Sequence, residues 1–249
     1  MRRSITIVLA IALAFTLSLT QAGSFATYHP DQTNRDRGFD AYSDGEFPRA
    51  LDYFRRAARY ADKPSQLAIS MMYRHGEGVS ADPVLAYVWA DLAAERGYVS
   101  FLAYREEIWS KLSEEQQQRA VDIGQAMYAE FGDEVAKPRL NQLLQRGLAK
   151  RTGSHAGSDI SPIGVAQLDS SARANLFGRL LVLPHGSVAS SDFSLRVLSQ
   201  LSSEIRAQMA GGYYNEAHWK PAAYWTLQDA IWSGRGTVEV GPLRKAGNG

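Results

Sequence analysis

The chain has 249 residues, of which 45% are hydrophobic and 21% charged, an ordinary composition for one large or two small globular domains. Its formal net charge of +1 argues against nucleic acid as a main partner, because phosphate binding needs clustered positive charge. The absence of cysteine excludes a disulfide framework and a thiolate metal site.

Residues 1–22 have the pattern of a signal peptide. Arg2 and Arg3 supply a positive start, Ile5 to Leu19 form the apolar core, and small residues precede a cleavage point after Ala22. The apolar run is short for a bilayer span, which counts against the alternative of an uncleaved membrane anchor. Export without cysteine fits a bacterial periplasm. We therefore expect a periplasmic or secreted protein with no stable membrane insertion after cleavage.

The region that follows the signal peptide is expected to be helical up to about residue 147. Residues 23–33 are polar and aperiodic, which predicts a flexible lead-in. Apolar periodicity and capping residues then predict four helices, near 34–44, 47–61, 64–75 and 83–96.

The clearest pattern covers residues 66–98 and predicts two short helices joined by a glycine turn. Gly76 and Gly78 allow positive φ and end the first helix. Asp82 stands at an N-cap position, followed by Pro83 in the first turn of the second helix. Such a pair leaves an apolar face uncovered, so neighbouring pairs of the same kind are expected.

The segment upstream repeats this pattern. Tyr42 and Gly45 precede Tyr73 and Gly76 by 31 residues. The spacing and residue types resemble the Sel1-like repeat, a relative of the tetratricopeptide repeat. Ten matching positions carry the resemblance: Tyr73, Gly76, Gly78, Val79, Asp82, Ala86, Trp89, Ala93, Ala94 and Gly97. It covers about 33–98 clearly and 99–147 loosely, and it implies an α-solenoid that binds other proteins and performs no chemistry.

Further helices are predicted over 99–111, 114–131 and 133–147, and the last is expected to complete a third, degenerate pair that caps the solenoid. The fold class is therefore mostly α, with a short antiparallel helix-pair solenoid over 34–147. Residues 148–162 have the composition of a linker.

Residues 163–249 form a C-terminal extension whose order the sequence leaves open. The run from Leu168 to Leu183 fits a helix or a buried strand equally well. Helices are predicted from Phe193 to Met209 and from Pro221 to about Trp232. Thr237–Val240 is the best candidate for one short strand.

The sequence contains no recognisable catalytic or metal-binding motif. It therefore predicts a protein that is not an enzyme, with no catalytic residue, no metal site and no cofactor. The glycine–serine–histidine run at 153–157 is not a nucleophile elbow, and no glycine-rich phosphate loop is present. The histidines are scattered through predicted loops and turns without zinc-ligand spacing. They are His29, His75, His155, His185 and His218.

One aromatic cluster has two interpretations. Six large aromatic residues lie within twenty positions: Tyr213, Tyr214, Trp219, Tyr224, Trp225 and Trp232. They could form a platform that stacks sugars, or they could pack the C-terminal segment onto the end of the solenoid. Packing is the favoured interpretation, and glycan binding stays open.

The resemblance also implies partner-binding positions, because first-helix residues of such repeats face the groove. In this protein they are Asp36, Asp40 and Ser43 in the first unit and Leu67, Met71 and Arg74 in the second. An acidic strip beside apolar side chains suits a partner segment with basic and apolar residues.

The predicted function is an exported, non-enzymatic adaptor or scaffold of the bacterial envelope that binds a protein segment. The first alternative is a protein that binds or processes glycan, such as peptidoglycan, through the 213–232 aromatics. The second is a structural subunit of an envelope assembly with no exchangeable ligand.

Overall fold

The structure is a computed structural model that describes residues 27–152, residue 195 and residues 218–232. Eight helices and no strand occur within these ranges: α1 (Pro30–Ser43), α2 (Phe47–Ala58), α3 (Lys63–His75), α4 (Pro83–Ala94), α5 (Val99–Trp109), α6 (Glu114–Phe131), α7 (Asp133–Thr152) and α8 (Pro221–Trp232). The mostly α fold is confirmed. The signal peptide, the candidate strand and the 168–183 segment lie outside the described residues.

Local signals set most of the helix boundaries. Asp82 caps α4 by accepting the backbone N–H groups of Val84 and Leu85 at 2.9 and 3.1 Å, as the sequence predicts. Gly76 ends α3 with φ at +75°, which is the left-handed conformation that glycine adopts without penalty. Ser113 starts α6 with a capping box.

Consecutive helices pack as pairs, α1 on α2 and α3 on α4, and the pairs stack through α2 and α3. Helix α3 lies at the centre, since every residue from Ala61 to Tyr73 is buried. Helices α5 and α6 both pack on α4, where the Trp89 and Phe131 rings approach to 4.8 Å. The apolar core is therefore continuous from the first helix pair to α5 and α6.

Helix α7 packs on α6, and it also extends along the earlier repeats. It begins beside the start of α3, and further along it Arg139 donates to the carbonyl oxygen of Arg59 at the end of α2. Near its other end, Lys150 lies 5.7 Å from the ring centre of Tyr28, which precedes α1. Helix α7 thus runs back along the repeats from the third pair to the first, and it extends into the predicted linker.

Helix α1 begins at Pro30, four residues before the predicted start, and the expected lead-in is ordered from residue 27. Its first turn carries the buried polar side chains of Asp31 and Gln32. Polar residues give no helical apolar period, which explains why the sequence did not indicate this turn. Their burial comes from α8, which covers them.

Candidate partner-binding surface

Helix α8 lies across a surface made by the start of α1, the segment before α5, and α7, and Tyr224 is its central anchor. The Tyr224 hydroxyl accepts a hydrogen bond from Gln32 Nε2 at 2.9 Å and donates one to Asp31 Oδ2. Its ring packs on Leu140 and Leu144 of α7. One fully buried side chain therefore joins α8 to α1 and α7.

Trp225 is a second anchor and is only half-buried. Its Nε1 donates to Asn141 Oδ1 at 2.8 Å. The Arg96 guanidinium lies 4.7 Å, and Lys137 Nζ 5.2 Å, from the Trp225 ring centre. Cations at this distance from an indole ring attract its electron-rich face, so this part of the surface favours a tryptophan.

The next turns of α8 add a carboxylate and a third aromatic ring. Asp229 Oδ1 accepts a hydrogen bond from the Tyr98 hydroxyl at 2.6 Å and lies 3.6 Å from Arg96. The Trp232 ring lies 5.6 Å from the Arg35 guanidinium and belongs to the main apolar core. The surface therefore recognises α8 through basic, hydroxyl and amide groups as well as through apolar contact.

The residues just before α8 close the other end of this surface. Trp219 is fully buried, with its ring centre 5.0 Å from His29 and 6.1 Å from Tyr28. The backbone of Gly147 approaches this ring so closely that a Cβ atom there would lie 2.2 Å from it. A glycine is needed at this position of α7 for Trp219 to dock.

A buried ionic cluster holds the base of α7 in place. The side chain of Lys63 is fully buried, and its Nζ lies 2.6 Å from Glu95 and 3.0 Å from Asp133. Asp133 also receives two hydrogen bonds from Arg96, at 2.6 and 3.0 Å. Despite burial, these bonds and the charges of Arg96 and Lys63 hold the pKa of Asp133 well below its usual range.

Two buried side chains under α8 have pKa values far from their ordinary ones. Burial, reinforced by the nearby Asp62 carboxylate, raises the pKa of Asp31 to about 7, although Tyr224 and Arg35 oppose the shift. Burial and the charge of His218 lower the pKa of His29 to about 3. The surface under α8 is therefore formed around a carboxyl group that titrates near neutrality and a neutral imidazole.

Two segments of the chain match a known family. The family model of the Sel1 repeat matches residues 41–59, which cover the end of α1 and all of α2, and residues 64–98, which cover α3 and α4. These two segments therefore carry the Sel1 repeat pattern. Neither the curated proteins nor the solved structures give a significant match.

The two Sel1 repeats place the predicted partner-binding residues in different environments. Asp40 and Ser43 are exposed, Asp36 is half-buried, and Arg74 is paired with Glu107 at 2.8 Å. These side chains keep some access to solvent.

The apolar part of the predicted groove needs correction. Leu67 and Met71 are 0% and 2% exposed and form part of the main core. The same core includes Ile231 and Trp232 from α8 and Leu195 from the C-terminal extension. The groove assignment assumed that the first helices of Sel1 repeats stay uncovered, whereas in this protein Leu67 and Met71 belong to a core that also contains residues of the C-terminal extension.

Four members of the aromatic cluster lie within the described residues. Trp219, Tyr224 and Trp232 are buried against the repeat region, and Trp225 carries two cations over its ring. Rings with buried faces cannot stack a sugar. Tyr213 and Tyr214 lie outside the described residues.

Sequence reasoning missed the polar groups that receive α8. His29 lies outside the helices, as expected, at the N-cap of α1, but its burial was not expected; its ring centre lies 6.4 Å from that of His218. The described residues contain no group of three or more potential metal ligands. One sequence signal could have indicated this surface. It is the pair of polar residues, Asp31 and Gln32, in the first turn of a helix that is otherwise buried on one side.

Replacing Asp31 by asparagine should change how stability depends on pH. The folded-state pKa of Asp31, about 7, lies above its ordinary value of 3.8. Its contribution is therefore fully present below about pH 4 and declines up to about pH 7. We expect the difference in unfolding free energy between wild type and Asp31→Asn to fall over this range, by at most about 1.4 kcal/mol per pH unit.

Urea denaturation of both proteins at several pH values measures this difference. His29, whose pKa is lowered, makes stability rise with pH from about 3 to 6.5, but this term is common to both proteins and cancels. Of the other groups around Asp31, Arg35 and Tyr224 keep their charge state over this range, since both have raised pKa values. A difference that stays constant from pH 4 to 7 would contradict the assignment.

Proposed function

We propose that this protein is a non-enzymatic adaptor or scaffold of the bacterial envelope that binds a segment of a partner protein on the face made by its first helices. Sel1 repeats mediate protein–protein interaction, which supports a protein partner. The observation that carries the proposal is α8 itself. Helix α8 lies across the start of α1 and the segment before α5. It makes side-chain hydrogen bonds to Asp31, Gln32 and Tyr98, which lie 193, 192 and 131 positions from their partners in the sequence.

The exposed edge at the end of α1, on the side turned away from Asp31 and Arg35, indicates the chemistry of the partner segment that flanks this face. Asp40 and Asp44 are exposed at the end of α1, and Glu46 follows them before α2. With Arg37 and Arg49 they line a shallow hollow on the first Sel1 repeat. Glu46 is paired with Arg49 at 2.6 Å, so a partner segment with a basic side chain that meets Asp40 and Asp44 suits this edge.

The envelope location rests on the sequence pattern of residues 1–22. Among the described helices none has the length and apolar character needed to cross a membrane. N-terminal sequencing of the protein purified from a cell envelope extract would test the location, and the proposal expects a mature protein that begins at Gly23.

Photo-crosslinking in cells tests the proposed partner site. A photoreactive residue at position 40, which is exposed on α1, should form a discrete adduct with one protein. The control is position 118, which is exposed on α6 and should form none. Position 71 is unsuitable because Met71 is buried. The proposal fails if positions 40 and 43 give no adduct, or if position 118 gives the same one.

A charge reversal gives a quantitative prediction for the same site. Asp40→Arg should reduce recovery of the crosslinked partner from position 43 by about tenfold, because a like charge would face the basic segment. Glu115→Arg, the same change at an exposed position of α6, should leave recovery unchanged. Equal yields from wild type and both variants would contradict the acidic-edge assignment.

A further inference from the structure

The contact between α8 and the rest of the protein combines apolar packing by Ile231 and Trp232 with several side-chain hydrogen bonds. Three consecutive anchors of α8, Tyr224, Trp225 and Asp229, each make a side-chain hydrogen bond to a residue at least 84 positions away. Contacts between parts that separate are more polar than permanent cores, which rely on apolar packing. The composition of this contact is that of a separable interface.

Some buried polar atoms in this contact also lack a hydrogen-bond partner among the described residues. Gln228 Nε2, Trp232 Nε1 and Asp31 Oδ1 are buried and have no hydrogen-bond partner among the described residues. Buried polar groups are nearly always paired, and each unpaired one costs about 1–3 kcal/mol. These penalties reduce the net free energy of docking α8, so its release would require less energy than its contact area suggests.

The residues of α8 follow the pattern of a helical ligand. Tyr224, Gln228 and Trp232 are spaced four residues apart on one face and are all buried. Ala222 and Thr226 lie on the opposite face and are exposed. A helix that binds through anchors at i, i+4 and i+8 and keeps its other face in water is the usual form of helix-in-groove recognition.

The receiving surface is selective for the charge of its ligand. Arg35, Arg96 and Lys137 each lie near an aromatic ring of α8, and Arg96 also lies near the Asp229 carboxylate. Cations placed in this way favour aromatic and acidic side chains and disfavour lysine or arginine in the ligand.

We propose that the surface under α8 is a binding site for an amphipathic partner helix with two aromatic anchors seven or eight residues apart and an acidic residue between them, and that α8 occupies it as an intramolecular competitor. This inference rests on the proposed function and names the ligand of its site. The partner helix replaces α8, while the acidic edge near Asp40 contacts the flanking segment.

Helix α8 belongs to the same chain as the surface it occupies, so its docking is an intramolecular event with which any added helix must compete. The apparent affinity of a partner is then reduced by the fraction of molecules in which α8 is docked. Weakening α8 should therefore tighten the binding of a helix added from outside.

Native-state hydrogen exchange on the full-length protein tests whether α8 is separable. We expect the amides of 221–232 to exchange through an opening that leaves the amides of α3 protected. The proposal would be overturned if both helices exchanged with the same opening free energy, because α8 would then be a permanent part of the core.

Binding of a fluorescent peptide with the sequence of residues 218–232 tests the site. The full-length Trp225→Ala variant loses the hydrogen bond to Asn141 and both cation contacts, and it should bind the peptide at least tenfold more tightly than wild type. Thr226→Ala, at an exposed position of the same helix, should bind as wild type does. A peptide with Asp229→Lys should bind neither protein.

Equal affinities of wild type and Trp225→Ala would refute the competitor role. If Trp225→Ala instead exposes α3 to exchange, α8 is structural and the proposal also fails. These outcomes are separate from the crosslinking at position 40. If α8 never opens but position 40 still forms an adduct, the competitor role is contradicted and the proposed function is not. If α8 opens but position 40 forms no adduct, the proposed function is contradicted.

Discussion

Replacing Asp133 by asparagine should lower the free energy of unfolding by about 3 kcal/mol, the typical loss when one partner of a buried ion pair is removed. The carboxylate lies 3.0 Å from the fully buried Lys63 and accepts two hydrogen bonds from Arg96. Asparagine keeps the shape but removes the negative charge. Glu95 then remains as the only carboxylate within 4 Å of the Lys63 ammonium among the described residues.

The neighbouring residue gives a matched control. Glu134→Gln removes the same charge from an exposed position at the start of the same helix, and we expect a change within about 0.5 kcal/mol. Urea denaturation followed by circular dichroism measures both values. Similar losses in the two variants would show that the Asp133 cluster adds nothing beyond ordinary helix-end electrostatics.

The contribution of Asp133 to the free energy of unfolding increases with pH, whereas that of Asp31 decreases. The folded-state pKa of Asp133 is lowered, so its contribution is present above the ordinary aspartate value. It is lost only as the pH falls through the lowered pKa. The difference between wild type and Asp133→Asn should therefore be constant from pH 8 down to about pH 5, where the Asp31 difference changes.

The repeats could be predicted from the sequence because their signals are local. The cap at Asp82, the left-handed glycine at Gly76 and the capping box at Ser113 each involve residues within four positions of each other. The equivalence of Gly45 and Gly76, inferred from their spacing, is confirmed by φ values of +77° and +75°. Signals of this kind lie within a few consecutive residues, so the sequence alone can predict them.

The positions of α7 and α8 could not be predicted in this way. After Gly132 the helical period continues, but a period carries no information on the direction in which the new helix runs. That direction depends on contacts of Asp133 with Lys63 and Arg96, which lie far away in the sequence. Charged side chains are usually solvated, so a sequence alone gives no reason to bury them.

The error over Leu67 and Met71 has the same origin. The resemblance implied that both side chains line an open groove, whereas both are buried in the main core. Whether that groove stays open depends on residues more than 120 positions later, such as Leu195 and Trp232, which belong to the same core. Two repeats with an uncovered apolar face would be marginally stable, and covering that face stabilises them.

Replacing Gly78 by alanine should destabilise the protein by about 2–4 kcal/mol, through two separate effects. Gly78 has φ at +69°, a conformation that costs a residue with a Cβ about 1 kcal/mol. The Cβ would also lie 2.6 Å from the carbonyl carbon of Phe47 and 2.7 Å from the nitrogen of Pro48, where backbone atoms cannot move aside easily. Relieving such overpacking typically costs 1–3 kcal/mol more, so about 2–4 kcal/mol in total.

Gly45→Ala separates the two effects. Gly45 has φ at +77°, but a Cβ there meets no atom within 4 Å, so only the backbone penalty of about 1 kcal/mol should remain. Thermal and urea denaturation of both variants give the two values. A Gly78→Ala loss well above that of Gly45→Ala would show that Gly78 is required by the close approach of the second repeat to the start of α2. Equal losses would mean that it is required by its turn alone, and the contact between the two repeats would then be looser than the structure describes.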